Sequence, residues 1–84
     1  MNLTNDRVFE LAKRVIDPRY RDSLTQDSRL FEEHILDSFG LIQLVVEIDN
    51  EFSIAIKTED LTSQNFSTIS DIAALVESYI TSGQ

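Results

Sequence analysis

A carboxylate and a hydroxyl stand side by side at Asp37 and Ser38, just before the longest apolar-periodic stretch of the chain, residues 41–52. Either side chain can act as a helix N-cap by accepting a hydrogen bond from a backbone N–H group of the first turn. The unpaired N–H groups and the helix dipole at such a terminus favour an anion. A phosphate ester on Ser38 would therefore lie in a favourable field. The alternative is that Ser38 only caps the helix.

Other kinds of chemistry find little support in the sequence. The chain has no cysteine and one histidine, His34, so it offers no thiol and no metal-ligand constellation. A calcium loop beginning at Asp49 fails, because its sixth position needs glycine and is occupied by Ile54. No nucleophile–base pair can be proposed for Ser38, since His34 lies in a segment expected to be a loop. We therefore expect that the chain catalyses no reaction by itself.

The charge and length of the chain narrow its possible partners. Its 84 residues include 15 acidic side chains and 7 Lys or Arg, giving a formal net charge of −8. This excess argues against nucleic acid, whose binding requires neutralised phosphates, and favours partners with basic surfaces. No stretch has the length of a membrane span and no apolar signal region begins the chain, so we expect a cytoplasmic protein without membrane insertion. We expect one domain, residues 1–84, with residues 81–84 frayed.

Apolar periodicity predicts an all-α fold. Three main helices are expected over residues 5–16, over residues 38–52 and from residue 69 onward, with caps at Asn5, at Asp37 or Ser38 and at Thr68. Residues 17–37 show no clean period and are expected to form a long loop, held to the core by Leu24, Leu30, Phe31 and Ile35. A very short helix, capped by Thr58, is expected before the last one. This order predicts a small four-helix bundle of three main helices and one short helix.

The second predicted helix has two apolar faces. One is expected in the core and consists of Leu41, Leu44, Val45, Ile48 and Phe52. The other begins next to Ser38 and consists of Phe39, Ile42 and Val46. A surface helix of a small bundle needs only one apolar face. The second face is therefore either buried, because the helix is central, or exposed for docking. The helix also carries acidic residues, which form a solvated face or the rim of that docking surface: Glu47, Asp49 and Glu51.

The expected core draws on all three main helices. Leu44, Ile48 and Phe52 should pack against residues of the first and last helices, namely Leu11, Val15, Ile72 and Val76. The apolar face of the last helix should include Ile80, with Tyr79 at its flank.

Residues 30–40 carry a resemblance to a known family. Together with Leu44 and the pair at residues 51–52, they resemble the acyl carrier proteins and peptidyl carrier domains, and the resemblance covers nearly the whole chain. In that family an Asp-Ser-hydrophobic triplet opens the second helix, and its serine receives 4′-phosphopantetheine from coenzyme A. The matching triplet here is Asp37-Ser38-Phe39. The resemblance therefore implies a covalent arm on Ser38 that carries an acyl or aminoacyl group as a thioester.

The surroundings of the triplet look most like the free-standing D-alanyl carrier proteins and related carriers of specialised pathways. Gly40, Gln43 and Asn50 stand where fatty-acid carriers often have acidic residues. Residues 35–36 are Ile and Leu, where peptidyl carrier domains usually have a glycine pair. These departures argue against a role in bulk fatty-acid synthesis and against an excised peptidyl carrier domain.

The resemblance also implies partners for a monomeric carrier. They are a phosphopantetheinyl transferase, an acyl or aminoacyl ligase, and the acyltransferases of its pathway. The residues expected to contact these enzymes lie beside Asp37 and Ser38 and along the second helix: Phe39, Gly40, Ile42, Val46, Glu47, Asp49 and Glu51. Gly40 has no side chain, which would let a partner or the arm approach closely. The alternative function is that of a small acidic helical adaptor, which binds basic proteins without a cofactor.

Overall fold

The computed structural model describes residues 3–82, and all regular secondary structure within that range is helical. The α-helices are α1 (Leu3–Val15), α2 (Pro18–Arg21), α3 (Ser38–Phe52) and α4 (Ile69–Thr81), and a 3₁₀ turn (Thr58–Asp60) precedes α4. Helix α1 packs against both α3 and α4. The predicted all-α bundle with three main helices is confirmed.

The core joins the three long helices and the connections between them. Its fully buried side chains include Val8 of α1, Leu44 and Ile48 of α3, and Ile72 and Val76 of α4. Burying a side chain of this size stabilises a fold by about 1.5–3 kcal/mol relative to leaving it exposed. The expected core is confirmed for Leu44 and Ile48 of α3, for Ile72 and Val76 of α4 and for Leu11 of α1, which are all buried. Two other expected members differ.

Phe52 and Val15 are only partly buried against the core. The guanidinium of Arg7 lies 4.9 Å from the centre of the Phe52 ring, so the ring sits at the edge of the α1–α3 contact rather than inside it. A cation over an exposed aromatic face contributes about 0.5–1 kcal/mol. The expectation that Phe52 is a fully buried core residue is therefore wrong.

At the end of α4, the helical period predicted that Ile80 faces the core with Tyr79 at its flank, but the structure shows the reverse. Tyr79 is buried and Ile80 is exposed. The Tyr79 hydroxyl accepts a hydrogen bond from the Lys57 N–H at 2.8 Å and donates one to the Asp60 carboxylate. These polar partners hold the phenol inside the fold, because a buried hydroxyl is costly unless it is hydrogen-bonded.

The long connection between α1 and α3 is held to the body as predicted. Leu24, Leu30 and Ile35 are buried, and Phe31 is partly buried. The Leu30 N–H also donates to the Ser67 carbonyl at 2.9 Å, which joins this connection to the residues before α4.

The single turn of α2 lies in a segment that was expected to be a loop. Asp17 caps it, because its side chain accepts a hydrogen bond from the Arg19 N–H at 2.9 Å, and Pro18 occupies the first helical position. Proline is favoured there because its fixed φ suits the helix and it has no N–H to leave unpaired. This turn places Arg19 and Tyr20 close to the start of α3, where both line a cavity.

The expected helix caps differ from the structure at two positions and agree with it at a third. Helix α1 begins at Leu3, so Asn5 lies inside it and donates to the Gln26 side chain at 2.9 Å instead of capping. Thr58 is the first residue of the 3₁₀ turn and makes no capping hydrogen bond. The cap at Thr68 is confirmed, since its hydroxyl oxygen accepts from the Asp71 N–H at 3.1 Å.

At the C-terminal end, Thr81 is the last residue of α4 and Ser82 is its C-cap. The expected fraying of residues 81–84 stays a prediction. Residues 83 and 84 lie outside the described range.

Candidate functional site at the start of α3

Asp37 is the N-cap of α3. Its backbone is extended, with φ −112° and ψ −175°, and its Oδ1 accepts a hydrogen bond from the Gly40 N–H at 2.7 Å. Its carbonyl oxygen accepts from the Leu41 N–H at 2.8 Å, which begins the helical ladder. This is the geometry expected of a capping aspartate. The side chain of Asp37 therefore performs the capping that either residue of the pair was able to provide.

Ser38 is the first residue of α3, and its side chain is exposed. Within residues 3–82, its hydroxyl makes no hydrogen bond, so the alternative that Ser38 serves only as the cap is wrong. The backbone N–H groups of Ser38 and Phe39 likewise donate to no other residue in that range. These two donors and the helix dipole favour an anion at the position that the Ser38 hydroxyl occupies. A phosphodiester on this oxygen fits the site, because it displaces no hydrogen bond and requires no buried charge.

Gly40 is buried, and its lack of a side chain has a local cause. A Cβ at this position would lie 2.9 Å from Leu36 Cδ1 and 3.3 Å from Asp37 Oδ1. The glycine thus makes room for Leu36 and for the capping carboxylate. This packing explains the glycine, whereas the expected close approach of a partner or of the arm at Gly40 stays a prediction.

The second apolar face of α3 is exposed. Phe39, Ile42 and Val46 have 71%, 54% and 52% of their surface open to solvent. The buried face of the helix is formed instead by Leu44, Val45 and Ile48. Of the two alternatives for the second face, burial in a central helix is wrong and exposure is confirmed. The exposed face begins one residue after Ser38 and extends two turns along the helix.

The three carboxylates expected at the rim of this face have partners within the chain. Glu47 lies 3.8 Å from the Arg14 guanidinium of α1, and Glu51 is paired with Arg7. Asp49 Oδ1 accepts a hydrogen bond from the Ile56 N–H at 3.1 Å, which fixes the connection after α3. Asp49 therefore has a structural function, while the two glutamates form exposed pairs that are worth about 0–1 kcal/mol each.

A cavity of about 390 Å³ lies beside the start of α3. Asp37, Phe39 and Gly40 line it on one side, and Val15, Arg19, Tyr20 and His34 are among the residues on the other. His34 is exposed and has a positive φ of 58°, which agrees with its expected place in a loop. Sequence reasoning missed the contribution of α2 to this cavity. The available signal was the capping aspartate followed by proline at residues 17–18.

Comparison with known proteins identifies the family. The family described as "phosphopantetheine attachment site" matches residues 6–76. The chain is 33% identical over 73 residues to a D-alanyl carrier protein of Lactococcus lactis subsp. lactis, covering 86% of this chain and 90% of that protein. It is 38% identical over 68 residues to an acyl carrier protein of Onion yellows phytoplasma, covering 77% and 87%. A D-alanyl carrier protein of Streptococcus equi subsp. zooepidemicus is 28% identical over 74 residues, covering 88% and 91%.

The chain belongs to the family of phosphopantetheine-binding carrier proteins. Its function is to carry an acyl or aminoacyl group on a covalently bound 4′-phosphopantetheine. The bound group supplies the thiol on which that cargo forms a thioester, and the chain itself has no cysteine. Members of the family typically serve as substrates of other enzymes, among them a phosphopantetheinyl transferase. In the part of the chain that the structure describes, no helix is long and apolar enough to cross a membrane.

Proposed function

We propose that Ser38 is the residue to which 4′-phosphopantetheine is attached. The observation that carries this proposal is an exposed serine hydroxyl at a helix N-terminus whose cap is already supplied by the neighbouring carboxylate. A serine needed for capping would have its oxygen engaged by the first turn, whereas the Ser38 oxygen is open to an enzyme. The family match extends across this position, because it covers residues 6–76.

The residues around Ser38 have distinct tasks in this proposal. Asp37 fixes the first turn, so that the Ser38 hydroxyl is presented at a rigid point rather than on a loop. The N–H groups of Ser38 and Phe39 stabilise the negative charge of the phosphodiester once it is in place. Among residues 3–82, no side chain forms a hydrogen bond with the Ser38 hydroxyl that would let it act as a general base, so in this proposal the transferase supplies that group. The chain therefore acts as a substrate and a carrier, and does no catalysis of its own.

The docking surface in this proposal is the exposed face of α3, formed by Phe39, Ile42 and Val46. Helix α3 contains no basic residue, and Glu47 and Glu51 lie along it. Partner enzymes should therefore present an apolar cleft whose basic rim replaces Arg14 and Arg7 as the partners of these two exposed glutamates. A monomeric carrier must leave each enzyme after delivery, so these interfaces should be small and dominated by a few apolar anchors.

The partners we propose are the phosphopantetheinyl transferase, an acyl or aminoacyl ligase, and an acyltransferase that receives the cargo. Two of the relatives described above are named D-alanyl carrier proteins, which makes an aminoacyl group the first cargo to test. We also propose that the carrier works in the cytoplasm, where coenzyme A is available as the donor of the arm.

The test of the attachment site compares two serine variants. Wild type, Ser38→Ala and Ser63→Ala are each incubated with coenzyme A and a promiscuous phosphopantetheinyl transferase, and their intact masses are measured. Ser63 is an exposed serine outside α3, so its variant controls for the loss of a surface hydroxyl. We expect wild type and Ser63→Ala to gain the mass of one phosphopantetheine and Ser38→Ala to gain none. Loading of Ser38→Ala would show that the attachment site lies elsewhere.

A further inference from the structure

The basic residues of this acidic chain are unevenly distributed. Four of its seven Lys and Arg residues lie within residues 13–22, together with only two of its fifteen acidic residues. This segment runs from the last turn of α1 to the C-cap of α2. Its four basic and two acidic side chains give it a formal charge of +2, in a chain whose formal net charge is −8.

Two of the four basic residues have contacts that explain them within the chain. The Nε of Arg21 donates a hydrogen bond to the Lys13 carbonyl at 2.7 Å, at the C-terminal end of α1. The helix dipole favours a cation there. The Lys13 ammonium lies 3.4 Å from the carboxylate of Glu10, one turn earlier in the same helix. Arg14 and Arg19 are the two that contacts of this kind do not explain.

Arg14 and Arg19 are exposed and lie beside the apolar face of α3. Their side chains have 70% and 77% of their surface open to solvent. Arg14 lines a cavity of about 340 Å³ between α1 and α3, together with Ile42 and Val46. Arg19 lines the cavity beside the start of α3, together with Phe39. Each of the three exposed apolar residues of α3 therefore shares a cavity with one arginine.

The ion pairs of these two arginines are easily exchanged. Arg19 lies 3.2 Å from Asp17, and Arg14 lies 3.8 Å from Glu47. Both pairs are open to solvent, where an ion pair contributes little to stability. A partner whose basic rim takes Glu47, as proposed above, leaves Arg14 without its carboxylate. That partner then has to supply another carboxylate, because a cation enclosed in an interface without an anion is costly.

The enzyme that modifies Ser38 is the partner that has to cover this end of the molecule. Asp37 and Phe39, the two neighbours of Ser38, line the same cavity as Arg19. A transferase that reaches the Ser38 hydroxyl therefore lies over Arg19 as well. An anionic membrane suits these arginines less, because the acidic remainder of the chain would be repelled by it.

We propose that Arg14 and Arg19 form a basic border of the docking surface, and that the phosphopantetheinyl transferase places carboxylates opposite them. The inference rests on the proposed attachment at Ser38 and on the proposed docking face of α3. The transferase then presents charges of both signs beside its apolar cleft. Such a pattern fixes one docking orientation and disfavours a transferase whose rim is basic throughout.

Loading rates of glutamine variants test the basic border. Wild type, Arg14→Gln, Arg19→Gln and Arg29→Gln are incubated with coenzyme A and the phosphopantetheinyl transferase of the same organism, and kcat/KM for the carrier is measured by intact mass. Arg29 is the matched control, because it is exposed, lies 3.3 Å from Glu32 and lines neither cavity. We expect Arg14→Gln and Arg19→Gln each to lower kcat/KM about twofold to fivefold at low salt, and less at high salt.

The control variants separate a local contact from the overall charge of the chain. Arg29→Gln makes the chain equally more acidic and should not lower kcat/KM. Arg14→Lys and Arg19→Lys keep the cation and should retain most of the wild-type rate. An equal loss in Arg29→Gln, unchanged rates in Arg14→Gln and Arg19→Gln, or an effect confined to the KM for coenzyme A would each overturn the basic border.

Cross-linking tests whether the partner groups are carboxylates. A water-soluble carbodiimide joins an amine to a carboxylate without a spacer, and Arg14→Lys, Arg19→Lys and Arg29→Lys each place an amine at the position of interest. We expect peptide mass spectrometry to find the amines at positions 14 and 19 joined to Asp or Glu of the transferase, and the amine at position 29 joined to none. Cross-links to the transferase at none of these positions, or at position 29 alone, would overturn the proposal.

Two further outcomes have separate meanings. Co-sedimentation of wild type with phosphatidylglycerol vesicles, lost when Arg14 and Arg19 are both changed to Gln, would assign the border to a membrane and overturn its role toward the transferase. A wild-type chain that is not loaded at all refutes the attachment at Ser38. A wild-type chain that loads at the same rate as Arg14→Gln and Arg19→Gln refutes the border alone.

Discussion

At the scale of single residues, Asp37 caps α3 and Ser38 is the residue proposed for attachment of the arm. The carboxylate accepts the Gly40 N–H at 2.7 Å and leaves the serine hydroxyl without a structural partner in the described part of the chain. A modification of Ser38 therefore does not remove the helix cap. Stability and loading should respond separately to changes at the two positions.

Replacing the capping carboxylate should lower stability by a predictable amount. Asp37→Ala removes the acceptor for the Gly40 N–H and should reduce the free energy of unfolding by about 1 kcal/mol. Asp37→Asn keeps an oxygen at the same place and should retain most of that stability. Urea denaturation of the apo protein measures both variants. Equal stability of Asp37→Ala and wild type would show that the cap contributes nothing.

Tyr79 is a second residue whose hydrogen bonds have a measurable consequence. Burial, followed by the hydrogen bond to Asp60, raises the pKa of the Tyr79 phenol above its ordinary value. The folded state therefore favours the neutral phenol. This contribution to stability is fully present below the pKa of an unfolded tyrosine, about 10, and is lost as the pH rises through the folded pKa.

The pH dependence of unfolding tests this interaction. Above about pH 10, wild type should lose stability more steeply than Tyr79→Phe, because the variant lacks the phenol whose pKa is raised by folding. At neutral pH, Tyr79→Phe should be less stable by about 1–2 kcal/mol, since the Lys57 N–H loses its acceptor. Denaturation at a series of pH values measures both effects. Identical alkaline slopes would contradict the proposed role of the Tyr79 phenol.

At the scale of the element, α3 has two apolar faces with different functions. Leu44, Val45 and Ile48 belong to the core, while Ile42 and Val46 are about half exposed. Val45 and Val46 are adjacent residues of the same type, one buried and one exposed, and they offer a matched comparison. Polar substitutions should therefore separate folding from docking.

The docking prediction concerns Ile42. Ile42→Gln keeps a similar size and should leave the melting temperature nearly unchanged. It should slow phosphopantetheine loading by about fivefold to thirtyfold, equivalent to about 1–2 kcal/mol for one interface anchor. Loading rates at subsaturating carrier concentration measure this effect. A large loss of stability without a specific loss of loading would place Ile42 in the core and the docking surface elsewhere.

The paired valines supply the folding control. Val45→Thr places a hydroxyl in a buried site and should lower stability by about 1–3 kcal/mol. Val46 has 52% of its surface exposed. Val46→Thr should therefore change the free energy of unfolding by less than about 0.5 kcal/mol. Thermal unfolding of the two variants under identical conditions provides the comparison. The reverse order would mean that the two faces of α3 have been exchanged.

At the scale of the whole molecule, the core depends on connections as well as on helices. Phe66 lies between the 3₁₀ turn and α4 and is fully buried, whereas Phe52 of α3 is only partly buried. Phe66→Ala should lower stability by about 3–5 kcal/mol, the range for a buried ring that leaves a cavity. Phe52→Ala should cost less, because its ring already contacts solvent. A larger loss at Phe52 would contradict this order.

The sequence predicted best what depends on local signals. The bounds of α3, the cap at Thr68 and the separation of the two α3 faces follow from capping residues and from the helical period. The single turn of α2 was missed because four residues show no period, although Asp17 before Pro18 carries the signature of a helix start.

Features that depend on tertiary contacts could not be predicted from the sequence. The burial of Tyr79 in place of Ile80 requires Asp60 and the Lys57 N–H, which come from a separate segment. The reason for glycine at residue 40 is the nearby Leu36 side chain, whose position periodicity does not give. At the candidate site, the exposed apolar face of α3 was predicted from the helical period, whereas the cavity beside Asp37 depends on how α1, α2 and α3 meet.

The central claim is that the hydroxyl of Ser38 carries the arm. The most direct measurement is fragmentation mass spectrometry of the wild-type chain after incubation with coenzyme A and a phosphopantetheinyl transferase, with the added mass localised to one residue. We expect one phosphopantetheine per chain, on Ser38 and on no other serine. Localisation to another residue would contradict it. So would an unmodified chain under conditions that fully load a second carrier protein.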